Sequence, residues 1–420
     1  MKLAFLIERK NYYRLLGPIV DEALRQGWEV ECWHDYNQPR TGGKGYEFPA
    51  IEAAPTFVYG KPVFKIYHGP PELKNWMLHN SVDAVVSLNT PLSHFGAQLP
   101  NPSPKWISIQ HTGDFFHNNG PEGILSCDVA ALYSDWWLTW GITYFREEGL
   151  THPGDRIERQ IATKAVSVGF PEVDQCRLID PAEVRRRWGI PQEQPVVALL
   201  PYPANSNPNA FWSRRIYSEP SRLKQIGNIL FRGRFDYWTH IQHGWNDVNV
   251  VKAIKIFCDR NGAYLIVKSR LKDPIPAYTE AMADKCLYDE SHYPHTILEV
   301  LSIASLCINF YSSTVTEAAY VGAPNLCITL STEDWYDTDQ HKHVGFELLF
   351  NTREGGLFQF CGVSTTMSIP EVIETLPQKS LAHYRMDPRA RSAYVEKFLS
   401  YDDGQSSRRV LDAIRQVVRQ

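Results

Sequence analysis

Residues 306–330, LCINFYSSTVTEAAYVGAPNLCITL, contain two apolar runs separated by an alanine-rich stretch. The runs LCINF and NLCITL are short and continuous, which predicts two buried strands. Between them, TVTEAAYVG has the pattern of a helix, with Gly322 placed to end it and Pro324 just beyond. Strands joined by a helical crossover pair in parallel, so this stretch predicts an α/β fold.

The same alternation extends in both directions along the chain. Further apolar runs, each typical of a buried strand, cover residues 2–8, 28–33, 83–88, 106–110, 128–133, 164–169, 195–201 and 263–268. Helical patterns separate them, and near-continuous apolar strands predict parallel sheets that are covered on both faces. We therefore predict two Rossmann-like domains, at 1–175 and 190–385, that face a cleft, followed by C-terminal helices at 386–420.

A change in composition marks the boundary between the two domains. Residues 170–195, FPEVDQCRLIDPAEVRRRWGIPQEQP, are rich in proline and charge and interrupt the alternation, which predicts a linker. Ligands of open α/β domains collect at the carboxyl ends of the strands. We therefore expect the functional site in the cleft between the domains.

Composition excludes several classes of protein. The 420 residues are 43% hydrophobic with a formal charge of −4, so no global basic field favours nucleic acid. The eight cysteines are scattered without a C-x-x-C pair, which predicts a reduced, cytoplasmic protein without a zinc site. Charge interrupts the N-terminal MKLAFLIERK too early for a signal peptide, and no run approaches the ~20 apolar residues of a spanning helix. We expect at most peripheral contact with the inner face of the cytoplasmic membrane.

Three hydroxyl side chains, Ser312, Ser313 and Thr314, stand between the strand LCINF and the following helix. The first N–H groups of a helix lack internal partners and the helix dipole favours negative charge there, so the hydroxyls predict a phosphate site. The alternative for any one of them is an ordinary N-cap. Glu317, one turn into the helix, either complements the dipole or holds the two hydroxyls of a ribose.

Four stretches together resemble GT-B glycosyltransferases. YSSTVTEAAYVGAP (311–324) is similar to their donor-binding segment, and VSVGFPEVDQCRL (166–178) is similar to the hinge of surface-polysaccharide transferases. ISIQHTGDFF (107–116) resembles their Gln-His-small acceptor-side turn, and YDDGQSSRRVLDAI (401–414) resembles their terminal crossover helix. The resemblance implies the GT-B fold, with the C-terminal helices crossing back to the first domain.

One further segment, NILFRGRFDYWTHIQHG (228–244), resembles the retaining β-Kdo transferases that build O-antigen and capsule glycans from CMP-β-Kdo. The resemblance implies a CMP leaving group and an aspartate nucleophile, a role that falls on Asp236. Retention by double displacement needs a carboxylate opposite the leaving group. The donor sugar carries a carboxylate, which arginine binds through two parallel hydrogen bonds. Arg232 and Arg234 are the candidates for this contact. Without the resemblance, the alternative interpretation of Asp236 is an aspartate in a turn or in a salt bridge.

Five other residues are candidates for the same cleft: Lys268, Arg270, His292, His111 and Glu158. Lys268 and Arg270 follow an apolar strand, where a cation suits a phosphate or a sugar acid, although strand exits are often Lys-rich. His292 lies in YDESHYPHT, which resembles the His-Pro element of CMP-sugar transferases except for an intervening tyrosine. His111 has two interpretations. It acts on the acceptor hydroxyl, by positioning or deprotonating it, or it is a structural histidine. Glu158, in the loop GDRIERQ, either takes part in acid/base chemistry or lies on the surface.

The predicted function is transfer of Kdo from CMP-β-Kdo to a lipid-linked glycan acceptor in lipopolysaccharide, O-antigen or capsule biosynthesis. No metal or cofactor is expected, because no D-x-D motif lies between apolar strands and a monophosphate leaving group needs less charge neutralisation than a diphosphate. The alternatives are a GT-B transferase that uses CDP-glycerol or a UDP-sugar, a UDP-sugar 2-epimerase, and a non-enzymatic scaffold of a polysaccharide synthase. Fusion to or association with other glycosyltransferases is a further expectation.

Overall fold

Two parallel β-sheets, each covered by helices, organise the chain. The computed structural model describes residues 1–36, 54–96, 99, 104–111, 113, 115–201, 247–269, 275, 277–288, 291, 293–310, 312–329 and 354–419. In these residues the strands of the first sheet fall between 2 and 167, and those of the second between 196 and 368. The predicted α/β class with two parallel sheets is confirmed.

The first sheet has seven parallel strands in the described part of the chain. They are β1 Lys2–Ile7, β2 Glu29–Asp35, β3 Val63–Tyr67, β4 Ala84–Ser87, β5 Lys105–Ile109, β6 Val129–Leu132 and β7 Ala165–Ser167. Their spatial order is β3-β2-β1-β4-β5-β6-β7. The central strands are buried along nearly their whole length, because helices cover both faces of the sheet.

The second sheet repeats this plan with six described strands. They are β8 Val196–Leu199, β9 Tyr264–Lys268, β10 Lys285–Leu287, β11 Leu306–Asn309, β12 Asn325–Thr329 and β13 Ser364–Ser368. Their spatial order, β10-β9-β8-β11-β12-β13, is that of a Rossmann domain. The order reverses between β1 and β4 in the first sheet and between β8 and β11 in the second, and open α/β sheets bind ligands at such points.

Fourteen α-helices of the described residues pack on these sheets. They are α1 Tyr13–Arg25, α2 Gly69–His79, α3 Pro91–Phe95, α4 Phe115–Ser126, α5 Asp135–Glu147, α6 Arg156–Lys164, α7 Pro181–Trp188, α8 Asp247–Arg260, α9 Ala277–Met282, α10 Thr296–Ser302, α11 Val315–Val321, α12 Ile369–Thr375, α13 Pro388–Leu399 and α14 Ser406–Val418. As predicted, α11 ends at Gly322, which has the left-handed φ of 84° that favours glycine. In the residues that the structure describes, no helix is both long and apolar enough to cross a bilayer.

The segment that joins the two sheets is helical. A 3₁₀ helix, Pro171–Leu178, is followed by α7, whose N-cap Asp180 accepts a hydrogen bond from the N–H of Ala182 at 3.0 Å. Pro181 occupies the first position of α7, where a missing N–H costs nothing. Pro171 and Pro181, two of the prolines that interrupt the apolar alternation, therefore begin helices.

Residues 293–295 fix the second domain against α1 and the 3₁₀ helix. The Tyr293 hydroxyl donates to Asp21 Oδ2 at 2.6 Å, and the His295 N–H donates to Gln175 Oε1 at 2.6 Å. A Cβ at Gly17 would lie 2.7 Å from the Tyr293 ring, so only glycine permits this approach. Because 293–295 follow the carboxyl end of β10, and Gly17 lies in the first half of α1, the contacts join the carboxyl edges of the two sheets.

The C-terminal helices return to the first domain, which confirms the expected crossover. α14 packs on α1, and α13 packs on α5. The Trp137 indole donates to the Phe398 carbonyl at 3.0 Å, and the Asp174 carboxylate accepts the N–H groups of Ser406 and Ser407 at 3.1 and 2.6 Å. Asp174 therefore caps α14 from the segment that connects the two sheets.

Gly169→Ala should loosen this crossover. Gly169 has φ 89°, and a Cβ there would overlap Ser406 Oγ at the start of α14. We expect a loss of about 1–3 kcal/mol in the free energy of unfolding, because the site is overpacked as well as strained. Gly149→Ala is the control: Gly149 has φ 67° but open space around it. Equal midpoints of the two variants in urea unfolding would contradict the prediction.

Candidate functional site

Polar side chains of the first domain gather where β1, β4 and β5 end. Glu8 follows β1, Asn89 follows β4 and His111 follows β5. The three strands are neighbours in the sheet, and the strand order reverses between β1 and β4. His111 thus lies at the edge of the sheet where open α/β domains bind ligands.

The residues Glu8, Tyr12, Asn89, His94 and His111 form what we call the β1–β4 cluster. The Glu8 carboxylate is only 5% exposed; Asn89 Nδ2 donates to it, and His94 Nδ1 lies 3.2 Å from Glu8 Oε1. The rings of Tyr12 and His111 are 6.3 Å apart, and burial, followed by the charge of Glu8, raises the pKa of the Tyr12 hydroxyl above its usual range. The sequence analysis predicted His111 but missed Glu8, although a carboxylate directly after an apolar strand was a usable signal.

The hydroxyl turn, Ser312–Thr314, lies beyond the carboxyl end of β11. Its first residue is held by Asn309, whose Oδ1 accepts the Ser312 N–H at 3.0 Å. Ser312 Oγ in turn accepts from the Thr314 N–H at 3.3 Å and donates to Thr314 Oγ1 at 2.9 Å, so Ser312 stabilises the turn, whereas the N-cap residue Thr314 makes no side-chain capping hydrogen bond. Ser313 is exposed, and its side chain has no hydrogen bond to the described residues. Of the three hydroxyls, that of Ser313 is the one most available to a ligand.

Lys268 occupies the last position of β9, which is separated from β11 by the single strand β8. At a strand spacing of about 4.8 Å, its backbone lies about 10 Å from that of Asn309. The side chain is 7% exposed, and its Nζ donates to the Ser269 carbonyl at 2.6 Å. Lys268 and the hydroxyl turn therefore share one edge of the second sheet. The candidates Arg232, Arg234, Asp236, Arg270 and His292 lie outside the described residues.

Glu317 faces the junction of the two domains. Its side chain is 3% exposed and accepts a hydrogen bond from Thr316 Oγ1 at 2.7 Å. Burial, and then the charge of Glu172 from the connecting 3₁₀ helix, raise the pKa of Glu317, while Arg14 opposes the shift. This position gives Glu317 a place in the core of the junction and no open surface for a ribose.

Glu172 forms the other half of this buried junction. Its Oε1 lies 2.6 Å from His295 Nδ1, and its Oε2 lies 3.5 Å from Arg14 Nε. Burial also raises the pKa of Glu172, with Arg14 lowering it in part. Arg14 is thus the cation that acts on both buried carboxyl groups, and its charge offsets only part of the effect of burial.

Glu317→Gln should make the protein less sensitive to alkaline pH. A carboxyl group whose folded-state pKa is raised contributes stability below its unfolded pKa of 4.5 and loses it as pH rises through the folded value. We therefore expect the melting temperature of the wild type to fall more than that of the variant between about pH 6 and about pH 9. Glutamine keeps an acceptor for Thr316. Exposed Glu396→Gln serves as the control, and parallel profiles of wild type and Glu317→Gln would contradict the prediction.

Glu158 lies away from the cleft. It occupies the first turn of α6, not a loop, and Arg146 in the last turn of α5 donates to its two oxygens at 2.7 and 2.8 Å. Thr151 and the Gly154 N–H complete its partners, and the hydrogen bonds from Arg146 lower the pKa of Glu158 to about 2. Because α5 runs back from the carboxyl end of β6, its last turn lies at the opposite edge of the sheet from His111. This placement argues against acid/base catalysis by Glu158.

The described part of the chain holds no group of three or more His, Cys, Asp or Glu side chains arranged to bind a metal ion. The polar groups that the described residues place at the two facing edges are hydroxyls, a lysine, histidines and a buried carboxylate. Such a set can hold a phosphate on one side and position a hydroxyl nucleophile on the other.

Solved structures with the same architecture include a wall teichoic acid polymerase and UDP-GlcNAc 2-epimerases. The wall teichoic acid polymerase TagF matches with a TM-score of 0.54 and 13% identity over 100% of this chain and 89% of that one. A TagF variant soaked with CDPG gives the same TM-score at 12% identity. The UDP-GlcNAc 2-epimerase from Neisseria meningitidis, bound to UDP-GlcNAc, matches with a TM-score of 0.51 and 12% identity over 99% of this chain and 100% of that one.

These similarities establish the fold of the chain. A putative UDP-N-acetylglucosamine 2-epimerase from Listeria monocytogenes matches with a TM-score of 0.53 and 10% identity over 99% of this chain and 96% of that one. No protein-family model matches the chain, and the comparison with curated proteins returns no match. The predicted GT-B fold is confirmed.

Proposed function

We propose that the chain is a glycosyltransferase that moves Kdo from CMP-β-Kdo to a glycan acceptor with retention of configuration. The observation that carries the proposal is the hydroxyl turn Ser312–Thr314 at the strand-order reversal of the second sheet. The β1–β4 cluster, with His111, lies at the corresponding point of the first sheet. This pairing suits a reaction between an anionic donor held by one domain and a hydroxyl acceptor held by the other.

The proposed reaction proceeds in two balanced steps. Asp236 attacks the anomeric carbon, a carbon–oxygen ester bond forms, the bond from that carbon to the phosphate oxygen breaks, and CMP leaves. The acceptor hydroxyl then attacks the same carbon, displaces Asp236 and gives up its proton to a base, for which His111 is the candidate. Two inversions give net retention.

Five further predicted residues would bind the donor. Arg232 and Arg234 would hold the sugar carboxylate, since arginine pairs with carboxylates through two parallel hydrogen bonds. Lys268 and Arg270 would meet the phosphate, and His292 would lie near the cytosine. No metal ion or other cofactor enters this scheme.

A second candidate function is transfer from CDP-glycerol. The similarity to the TagF variant soaked with CDPG favours it, because that likeness covers the whole of this chain. The similarity to 2-epimerases favours a third, which would release free sugar without any acceptor. A non-enzymatic scaffold would bind the nucleotide and turn nothing over.

The acceptor and the location belong to the same proposal. A surface-polysaccharide transferase of this kind would meet a lipid-linked glycan at the inner face of the cytoplasmic membrane, through peripheral contact. Association with other glycosyltransferases of the same pathway is also part of the proposal.

A comparison of nucleotides tests the donor class. We expect CMP to raise the melting temperature more than UDP or CDP at equal concentration, since a ligand at 100 times its Kd stabilises by about 2.7 kcal/mol. Product analysis with CMP-β-Kdo, CDP-glycerol and UDP-GlcNAc, with and without acceptor, then separates transfer from epimerisation. A larger shift with UDP, or turnover of CDP-glycerol alone, would reject the Kdo assignment.

A further inference from the structure

A cavity of about 280 Å³ lies at the crossover, outside the cleft. Its walls come from the last turn of α1, the connecting 3₁₀ helix and the start of α14. α1 begins at the carboxyl edge of the first sheet and runs back, so its last turn lies towards the opposite edge of that sheet from His111. We call this space the crossover cavity and define it by Arg25, Tyr59, Asp174, Arg177, Ser407 and Arg408.

Three arginines line the cavity, one from each element. Arg25 is neutralised, because its Nε and Nη2 each lie 2.6 Å from a carboxylate oxygen of Glu22. Arg177 and Arg408 are exposed, and within the described ranges neither forms a salt bridge. Arg408 donates only a long 3.4 Å hydrogen bond to the side chain of Gln405. Two guanidinium groups thus face the cavity without a salt bridge to the described residues, although Arg177 also interacts with the Tyr293 hydroxyl and its charge acts on Glu22 and Asp174.

The acidic groups at the base of the cavity are already engaged. Glu22 is 3% exposed and is held by Arg25, and Asp174 is 1% exposed and accepts the N–H groups of Ser406 and Ser407. The hydroxyl of Ser407 is buried beside Asp174 and helps to stabilise the charge of that carboxylate. The carboxylates at the base therefore already have partners, while the positive charge lies on the walls.

We propose that the crossover cavity binds a compact phosphate monoester or inorganic phosphate through Arg177 and Arg408, at a site separate from the donor site. The planar guanidinium group of arginine can donate two parallel hydrogen bonds to the oxygens of one phosphate group. These charge-assisted hydrogen bonds are stronger than hydrogen bonds between neutral groups. The volume lies just below the range of about 300–1,000 Å³ that is usual for ligand pockets, which favours a small ligand over a whole nucleotide-sugar. The half-exposed ring of Tyr59 supplies one apolar wall.

Occupancy of this cavity would act on the arrangement of the two domains. Arg177 belongs to the segment that joins the two sheets, and Arg408 belongs to the helix that crosses back. A phosphate held by both would fasten these two segments to each other. The ligand would thereby stabilise the domain arrangement without touching the cleft.

Phosphate titration of the full chain tests the proposal. Sodium phosphate is compared with sodium chloride at matched ionic strength, in the presence of saturating CMP, with the melting temperature and calorimetric affinity as readouts. We expect saturable binding that Arg177→Ala with Arg408→Ala weakens by at least about tenfold. Arg389→Ala, an exposed arginine of α13, should leave the affinity unchanged.

Three results would overturn the proposal. They are equal phosphate affinity in the wild type and the double variant, stabilisation that chloride reproduces, and no effect of phosphate at all. Arg177→Lys with Arg408→Lys guards against a folding defect, because it keeps the charge but loses the forks and should bind with intermediate affinity. A response to CMP with no phosphate effect would reject this site and leave the proposed function intact.

A vesicle assay identifies the source of the phosphate group. Vesicles of phosphatidylcholine with phosphatidic acid, whose headgroup is a phosphate monoester, are compared with phosphatidylcholine alone by co-sedimentation. Binding to the anionic vesicles that the double alanine variant loses would support a lipid headgroup. Phosphate binding without co-sedimentation would support a soluble ester.

Discussion

Asp236→Ala should abolish sugar transfer while CMP affinity stays within a few-fold of the wild type. In double displacement this carboxylate forms the bond that replaces the departing phosphate, and no water molecule can supply that bond with net retention. We expect a loss of turnover of roughly 10³-fold or more, since the role belongs to the transition state and not to ground-state binding. Turnover with CMP-β-Kdo and acceptor, together with calorimetry of CMP, measures both halves of the prediction.

Two companion measurements make this test specific. Asp259→Ala, at an exposed aspartate of α8 whose carboxylate pairs with Lys255 on the surface, should keep full activity. Intact mass spectrometry of the wild type after rapid mixing with donor should show a sugar adduct that the Asp236→Ala chain lacks. Full activity of that variant, or a product of inverted configuration, would remove Asp236 as the nucleophile.

Ser313→Ala should weaken CMP binding by about 1–3 kcal/mol, or roughly 5- to 150-fold, with little change in melting temperature. Its exposed hydroxyl has no hydrogen bond to the described residues, so the free protein loses nothing. Ser312→Ala should instead lower the melting temperature as well, because the Ser312 hydroxyl holds the Thr314 N–H and hydroxyl. Calorimetry with CMP and thermal unfolding of both variants separate ligand binding from stabilisation of the turn.

The double variant Ser312→Ala with Ser313→Ala combines the two effects and should bind CMP most weakly. Ser392→Ala is the matched control, since the exposed Ser392 hydroxyl donates to the Pro388 carbonyl of its own helix and makes no contact with the turn in the hydrogen bonds of the described residues. If the double variant bound CMP with wild-type affinity, the three hydroxyls would be explained by capping alone, and the phosphate site would have to be sought elsewhere.

The central strands were predictable from sequence, but three edge strands were not. Residues 2–8, 83–88, 306–310 and 325–330 contain β1, β4, β11 and β12 within one residue at each end. The missed strands β3, β10 and β13 are all at the edges of their sheets, and most of their residues are only partly buried. An edge strand covers less of the core, so its residues need not be continuously apolar, and the local signal is weak.

The candidate site was predicted in part. The sequence indicated that Ser312–Thr314 and His111 follow strands, and the structure has them there. It gave no sign that Glu317 would turn towards Glu172, or that Glu158 would be held by Arg146 on the far side of the sheet. Both glutamates lie in the first turn of a helix, where the helix dipole favours a carboxylate whatever its tertiary contacts. The sequence around each glutamate therefore does not distinguish its role.

The alternation of apolar runs by itself determined the parallel α/β architecture, because a strand buried on both faces must be apolar along its length, and this is visible in five or six consecutive residues. Only the tertiary structure decided which polar groups meet. Arg146 and Glu158 are 12 residues apart, Glu8 and Asn89 are 81 apart, and Glu172 and His295 are 123 apart. The charge state of a buried group depends on burial and on neighbours at such separations, and these exist only once the sheets and the crossover helix are in place.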